Sequence, residues 1–194
     1  MARKTIKDGT VSDAYLALLA DRGIDYFFGN AGTDFAPIIE SFAKAAAKGT
    51  PHPKPILVPH ENVAIHMALG YYVVTGRPQV VMVHVNVGSA NAMCGVINAA
   101  KGNLPVIFSS GRTPFTETGN QPGKRNREVH WPQEMFDQGS MMREFVKWDY
   151  ELRNSDVLET AVDRALNMAM TEPQGPIYMT IPCEPLAQPI KDYT

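Results

Sequence analysis

A doubly wound α/β domain, with a mostly parallel sheet and helices on both faces, is the fold class this sequence predicts. Three observations lead there. Its short apolar runs do not alternate, as expected of strands covered on both faces. A helical pattern separates most runs from the next. The runs end in glycine-rich or polar turns, where open sheets of this class bind their ligands.

The elements follow in order. Thr10 to Arg22 carries Val11, Ala14, Tyr15, Leu18 and Leu19 at helical spacing, with Thr10 as N-cap and Gly23 past the end. Asp25 to Phe28 reads as a buried strand running into the turn Gly29 to Thr33, before a helix from Phe35 to Ala47. Ile56-Leu57-Val58 precedes His60-Glu61 and a helix to about Val74. Val80 to Val85 precedes Gly88-Ser89 and a small-residue helix to Ala100, and Val106-Ile107-Phe108 continues the series. Gly111 to about Pro132 is polar and rich in Gly and Pro, long enough for a functional or disordered loop. Asp156 and Glu159 predict a helix start, Pro173 its stop, and Ile177 to Ile181 the last strand. Residues 1–182 are therefore expected to form the domain, and 183–194 a linker-like tail.

Composition narrows the function classes. The 194 residues are 44% hydrophobic and 20% charged, which suits one globular domain with a substantial core. A net charge of -2 gives no broad positive field for nucleic acid or an anionic membrane. The basic run Lys124-Arg125-Asn126-Arg127 lacks interleaved aromatics and reads as a solvated or interface segment. No apolar stretch approaches a membrane span, and the basic start leads into no signal-type apolar region. Two cysteines, Cys94 and Cys183, suggest no disulfide framework; buried structural thiols in a reducing cytoplasm are expected. His60 and His66 lie about 240° apart around a helix, so they do not form a zinc pair. No metal site is predicted within the chain.

The loops after the strands bring glycines, a carboxylate, an imidazole and hydroxyls toward one edge: Gly29 to Thr33, His60-Glu61, His84 to Asn91, and Ser109 to Thr113. The dinucleotide fingerprint and the P-loop pattern are both absent. Phe28-Gly29-Asn30-Ala31-Gly32-Thr33, Pro59-His60-Glu61, Gly88-Ser89-Ala90-Asn91-Ala92-Met93 and Pro173-Gln174-Gly175-Pro176-Ile177-Tyr178 occur in that order. Together they resemble the pyrimidine-binding domain of thiamine diphosphate decarboxylases and carboligases of the acetolactate synthase and benzoylformate decarboxylase kind. The match spans nearly the whole chain, and it implies the thiamine diphosphate-binding fold.

The resemblance implies roles for individual residues. Glu61 matches the glutamate that hydrogen-bonds N1′ of the cofactor's aminopyrimidine and so promotes proton loss from thiazolium C2. An apolar surround is expected for it, to favour its protonated form. His84 matches the active-site histidine of benzoylformate decarboxylase, and Thr33 falls at that enzyme's serine; both are candidate substrate residues, His84 also a catalytic one. Asn30, Ala31, Gly32, Gly88 and Asn91 match positions lining the pyrimidine. The chain departs from the family at Ala31, often proline there, and at Asn86-Val87, where acetolactate synthases carry Gly-Pro.

The same resemblance implies thiamine diphosphate as cofactor and a 2-oxo acid as substrate. Magnesium would be held by a Gly-Asp-Gly in a separate diphosphate-binding domain, and this sequence has no Gly-Asp-Gly. The expected partner is that domain, of the same or a neighbouring polypeptide, in a homo-oligomer. The chain alone is expected to be inactive and to be a fragment of a longer polypeptide. The alternatives are a noncatalytic interaction or regulatory domain, or another small-ligand-binding α/β protein that keeps the fold.

Overall fold

The computed structural model describes residues 5–193. Its central sheet has six strands, all parallel, in the order β3-β2-β4-β5-β7-β6. These are β2 (Tyr26–Asn30), β3 (Lys54–Leu57), β4 (Val80–Val83), β5 (Ile107–Arg112), β6 (Asp149–Glu151) and β7 (Ile177–Pro182). A separate two-stranded antiparallel pair joins β1 (Ile6–Thr10) to β8 (Pro189–Tyr193). The expected doubly wound α/β class is the one observed.

Alternate strand residues feed two cores, because successive side chains leave opposite faces of a sheet. Phe27, Val80, Met82, Ile107, Ile177 and Met179 pack under the helices α1 (Val11–Asp21), α2 (Ala36–Lys48) and α5 (Leu158–Met170). Phe28, Val81, Val83, Phe108 and Tyr178 pack under α3 (Glu61–Thr75) and α4 (Val85–Lys101). Both faces being covered explains why β4 is buried at all four positions and reads as an unbroken apolar run. Thr10 caps α1 as expected, accepting from the Asp13 N–H, while the Asp13 carboxylate accepts from the Thr10 N–H at 2.8 Å.

Several expectations are corrected. Residues 183–193 are not a linker: α6 (Cys183–Ala187) buries Cys183, Glu184, Pro185 and Leu186, and β8 pairs with β1. Pairing with a strand at the other end of the chain supplies the partner that this polar segment does not advertise locally. Gly88 and Ser89 lie inside α4, which starts at Val85 rather than after a loop. Asn154 caps the turn before α5, its side chain accepting from the Asp156 N–H at 2.9 Å.

The long connection after β5 is packed. Gln138 Nε2 donates to Ser110 Oγ at 2.8 Å and Gly111 O at 2.9 Å, with the Tyr178 hydroxyl at 3.1 Å. Arg125, only 5% exposed, pairs with Glu134, donates to Pro114 O at 2.7 Å and lies over the Trp131 ring. The solvated basic run expected there is thus wrong at Arg125, because carboxylates and an indole brought in by the loop compensate its burial.

Cys94 is exposed and Cys183 buried, so the expectation of two buried thiols holds only for Cys183. Burial, with Asp34 and Glu184 nearby, pushes the Cys183 thiol up to about 12. At pH 8 a thiol reagent is expected to modify one cysteine of the native chain rapidly and the second only after denaturant is added. Two fast equivalents before denaturation would show that the Cys183 environment is open.

Candidate functional site

The site lies where the winding of the sheet reverses. From β2 the chain passes through α2 to the edge strand β3, then crosses through α3 to β4 on the other side of β2. The carboxyl ends of β2 and β4 therefore open onto a crevice, the usual ligand position in open α/β sheets. The turn after β2 brings Asn30 to Thr33, the start of α3 brings Glu61, and the start of α4 brings His84 to Asn91.

Glu61 is the first residue of α3, where the helix N-terminus favours a negative charge. His60 caps this helix, its Nδ1 accepting from the Asn62 N–H at 3.3 Å. Glu61 Oε2 accepts from Asn91 Nδ2, and a Cβ on Gly88 would sit 3.4 Å from Glu61 Oε1 and 3.0 Å from Val83 Cβ. Gly88 thus leaves space beside the carboxylate that any side chain would narrow. Glu61 is half-buried and Asn91 exposed, so the pair sits at the mouth of the crevice, not sealed under the apolar cover expected of Glu61.

A second cluster adjoins the first. His84 Nδ1 lies 2.6 Å from Asp34 Oδ1, and Asp34 Oδ2 accepts from the Val85 N–H at 3.2 Å. Asp34 is 2% exposed. A Cβ on Gly32 would fall 2.1 Å from His84 Nδ1, so only glycine lets the imidazole lie against the β2 turn. The hydrogen bond to Asp34 raises the His84 pKa against the opposing effect of burial, with the Gln133 side chain and the Glu61 charge adding to the rise. His130, in the loop after β5, is shifted the other way by burial and the nearby Arg125 charge. Two imidazoles in one region are thereby biased to different charge states.

The structure brings Glu61, Gly88 and Asn91 together and sets His84 against Gly32. Asn30 is half-buried at the end of β2, while Ala31 and Thr33 are exposed on the turn. Sequence reasoning missed Asp34, Gln133 and His130. Asp34 had a signal, a carboxylate immediately after the glycine turn of a strand end. Gln133 and His130 had none, since they come from a loop without periodicity. Among the described residues no group of three or more His, Cys, Asp or Glu could hold a metal ion. Nor, among the described residues, is any helix long and apolar enough to cross a membrane.

A carboxylate, an imidazole and small residues thus meet at the switch point, where open α/β domains hold their ligands. Comparisons with known proteins give the family. Residues 9–141 match the thiamine pyrophosphate enzyme, N-terminal TPP binding domain, and the chain belongs to this family. It is 27% identical over 180 residues to benzoylformate decarboxylase of Pseudomonas aeruginosa, covering 93% of this chain and 31% of that protein. It is 27% identical over 164 residues to the acetolactate synthase large subunit of Haemophilus influenzae, covering 84% of this chain and 26% of that protein. The thiamine diphosphate-dependent 4-hydroxybenzoylformate decarboxylase of Rhodococcus jostii RHA1 superposes with a TM-score of 0.76 at 26% identity, over 93% of this chain and 31% of that one. The chain thus spans about a third or less of the length of these relatives.

Proposed function

We propose that this chain is the pyrimidine-binding part of a thiamine diphosphate-dependent 2-oxo acid decarboxylase or carboligase, with Glu61 activating the cofactor's aminopyrimidine. The observation that carries the reading is the Glu61 carboxylate at the switch point, held by Asn91 on one oxygen and left open beside Gly88 on the other. A planar ring needs that kind of access, and a proton donor and acceptor at its nitrogen needs a carboxyl group. Gly88 and Asn91 beside Glu61 support the fit of the cofactor's ring, and Asn30, Ala31 and Gly32 would add small or amide side chains from the neighbouring strand end. When bound, the cofactor would supply an electron sink for the keto carbon of a 2-oxo acid as the carboxylate leaves it.

In this reading Glu61 holds and exchanges a proton at the ring nitrogen, and Asn91 fixes the rotamer in which it does so. His84 and Thr33 face the 2-oxo acid, with His84 offering a hydrogen-bond donor to an anionic substrate. Magnesium and the diphosphate belong to a second domain, consistent with relatives about three times as long. The exposed side chains Val63, Met67 and Val74 of α3 and Val87 of α4 give a surface for that domain or a second copy, since burying apolar area contributes roughly 25 cal/mol per Å².

The test is calorimetric titration of thiamine diphosphate and magnesium into the chain alone and into the chain mixed with a diphosphate-binding domain, alongside light scattering. Binding is expected only in the mixture, together with a rise in mass. Absence of binding in a mixture that does associate would favour a noncatalytic interaction domain.

A further inference from the structure

We propose that Asp34 is a positioning residue for His84, holding the imidazole with its proton on Nδ1 so that Nε2 is the nitrogen offered to a reactant. The inference rests on the reading of this site as a thiamine diphosphate centre, and it deepens that reading by adding a residue that acts through another.

The seat of Asp34 is closed on two sides. Its carboxylate lies over Gly111 of β5, where a Cβ would be 1.6 Å from Oδ2, and His84 lies against Gly32. The carboxylate cannot slide and the ring cannot retreat. An ionised carboxylate only accepts hydrogen bonds, so the hydrogen in the 2.6 Å contact belongs to Nδ1. Neutral His84 then has Nε2 as an acceptor, with the Gln133 side chain as an uncharged polar neighbour of the ring. Protonated His84 has Nε2–H as a donor at the same point.

The second Asp34 oxygen secures the backbone that carries the ring. It accepts from the N–H of Val85, whose φ of 33° is unfavourable for a β-branched residue and costs about 1–3 kcal/mol. Such a conformation persists only where neighbours impose it, and Asp34 imposes it while also gripping the adjacent side chain. The charged groups around His84 are Asp34 from the β2 turn and Glu61 from α3, with Gln133 adding an uncharged contact. On the Asp34 side stand Cys183, whose thiol donates to the Asp34 carbonyl at 3.2 Å, and His130. Both carboxylates favour the imidazolium, so the His84 charge survives above the ordinary histidine value near 6.5. The stability this pairing gives is complete below that value and is lost as pH rises through the raised one.

The test is long-range proton-nitrogen NMR on the full chain labelled with ¹⁵N-histidine, without cofactor. Neutral His84 is expected to carry its proton on Nδ1. Asp34→Asn is expected to lower the His84 titration midpoint by about one unit or more and to mix the tautomers. Neutral His84 protonated on Nε2 would overturn the proposal, and the wild-type spectrum decides this even if the variant does not fold. An unchanged midpoint in a folded variant would overturn it as well. In the complete enzyme, Asp34→Asn is expected to reduce kcat in the parent but to add nothing in a His84→Asn background, whereas additive losses would mark Asp34 as merely structural. Because the NMR readout needs no cofactor, failure of the cofactor assignment leaves it standing and is recognised separately by the titration above.

Discussion

Glu61→Gln in the complete enzyme is expected to slow proton exchange at C2 of thiamine diphosphate by roughly 10²- to 10⁴-fold, the range of a lost general acid-base group. The substitution keeps the size and planarity of the side chain. Asn91 can meet the new amide by turning its carboxamide over, so the hydrogen bond between the two positions is retained. Glu61 is half-buried at a helix start, and stability is expected to change by no more than about 1 kcal/mol. Cofactor binding therefore survives while proton exchange at the ring nitrogen does not, since an amide does not take up and release a proton near neutral pH. Quenched-flow NMR of C2 exchange in the reconstituted protein is the measurement. An unchanged rate would remove Glu61 from the mechanism, and lost binding with normal exchange in the bound fraction would reduce it to a cofactor contact.

The sheet was legible in the sequence because its central strands are covered on both faces and their apolar runs are continuous, as in Val80 to Val83. The helices were legible where one face is apolar and the cap is local, as at Thr10. Elements stabilised by distant partners were not. Strand β1 is Ile6-Lys7-Asp8-Gly9-Thr10, without alternation and with Ile6 as its one large apolar residue, and it exists because β8 lies beside it from the other end of the chain. Strand β6 has three half-buried residues and takes its conformation from β7. Arg125 reads as a surface charge until Glu117, Glu134 and Trp131 are folded around it.

The site divides along the same line. Glu61, Gly88 and Asn91 follow strand ends on two adjacent helices, so segment order sufficed to associate them. Asp34 meets His84 across 50 residues of sequence, and nothing in either segment marks the pairing. What specifies it is the absence of side chains at Gly32 and Gly111, a feature that acquires meaning only when a third strand is placed under the turn. In the same way Tyr178, apolar in a strand pattern, sends its hydroxyl to Ser89 at 2.7 Å and Ser110 at 2.6 Å, tying α4 to the sheet just behind the crevice.

Gly111→Ala is the sharpest test of that packing. The added Cβ would lie 1.6 Å from Asp34 Oδ2 and 2.4 Å from Asp34 Cγ, well inside contact distance. Strand β5 cannot give way, because it is paired with β4 on one side and with β7 on the other, Gly111 itself opposite Ile181. Asp34 must therefore leave its seat, breaking its bonds to His84 Nδ1 and the Val85 N–H. A carboxylate that is 2% exposed has no nearby water to replace them without opening the β2 turn. Overpacking and the lost pair together are expected to cost about 3–5 kcal/mol, read as a lower urea midpoint. Gly70→Ala is the matched control: Gly70 is exposed within α3, its Cβ would meet nothing within 4 Å, and the change is expected to stabilise by roughly 0.5–1 kcal/mol. If Gly111→Ala unfolds at the same urea concentration as the parent while Gly70→Ala gains as expected, Asp34 is not held over β5, and the account of the His84 side of the site fails with it.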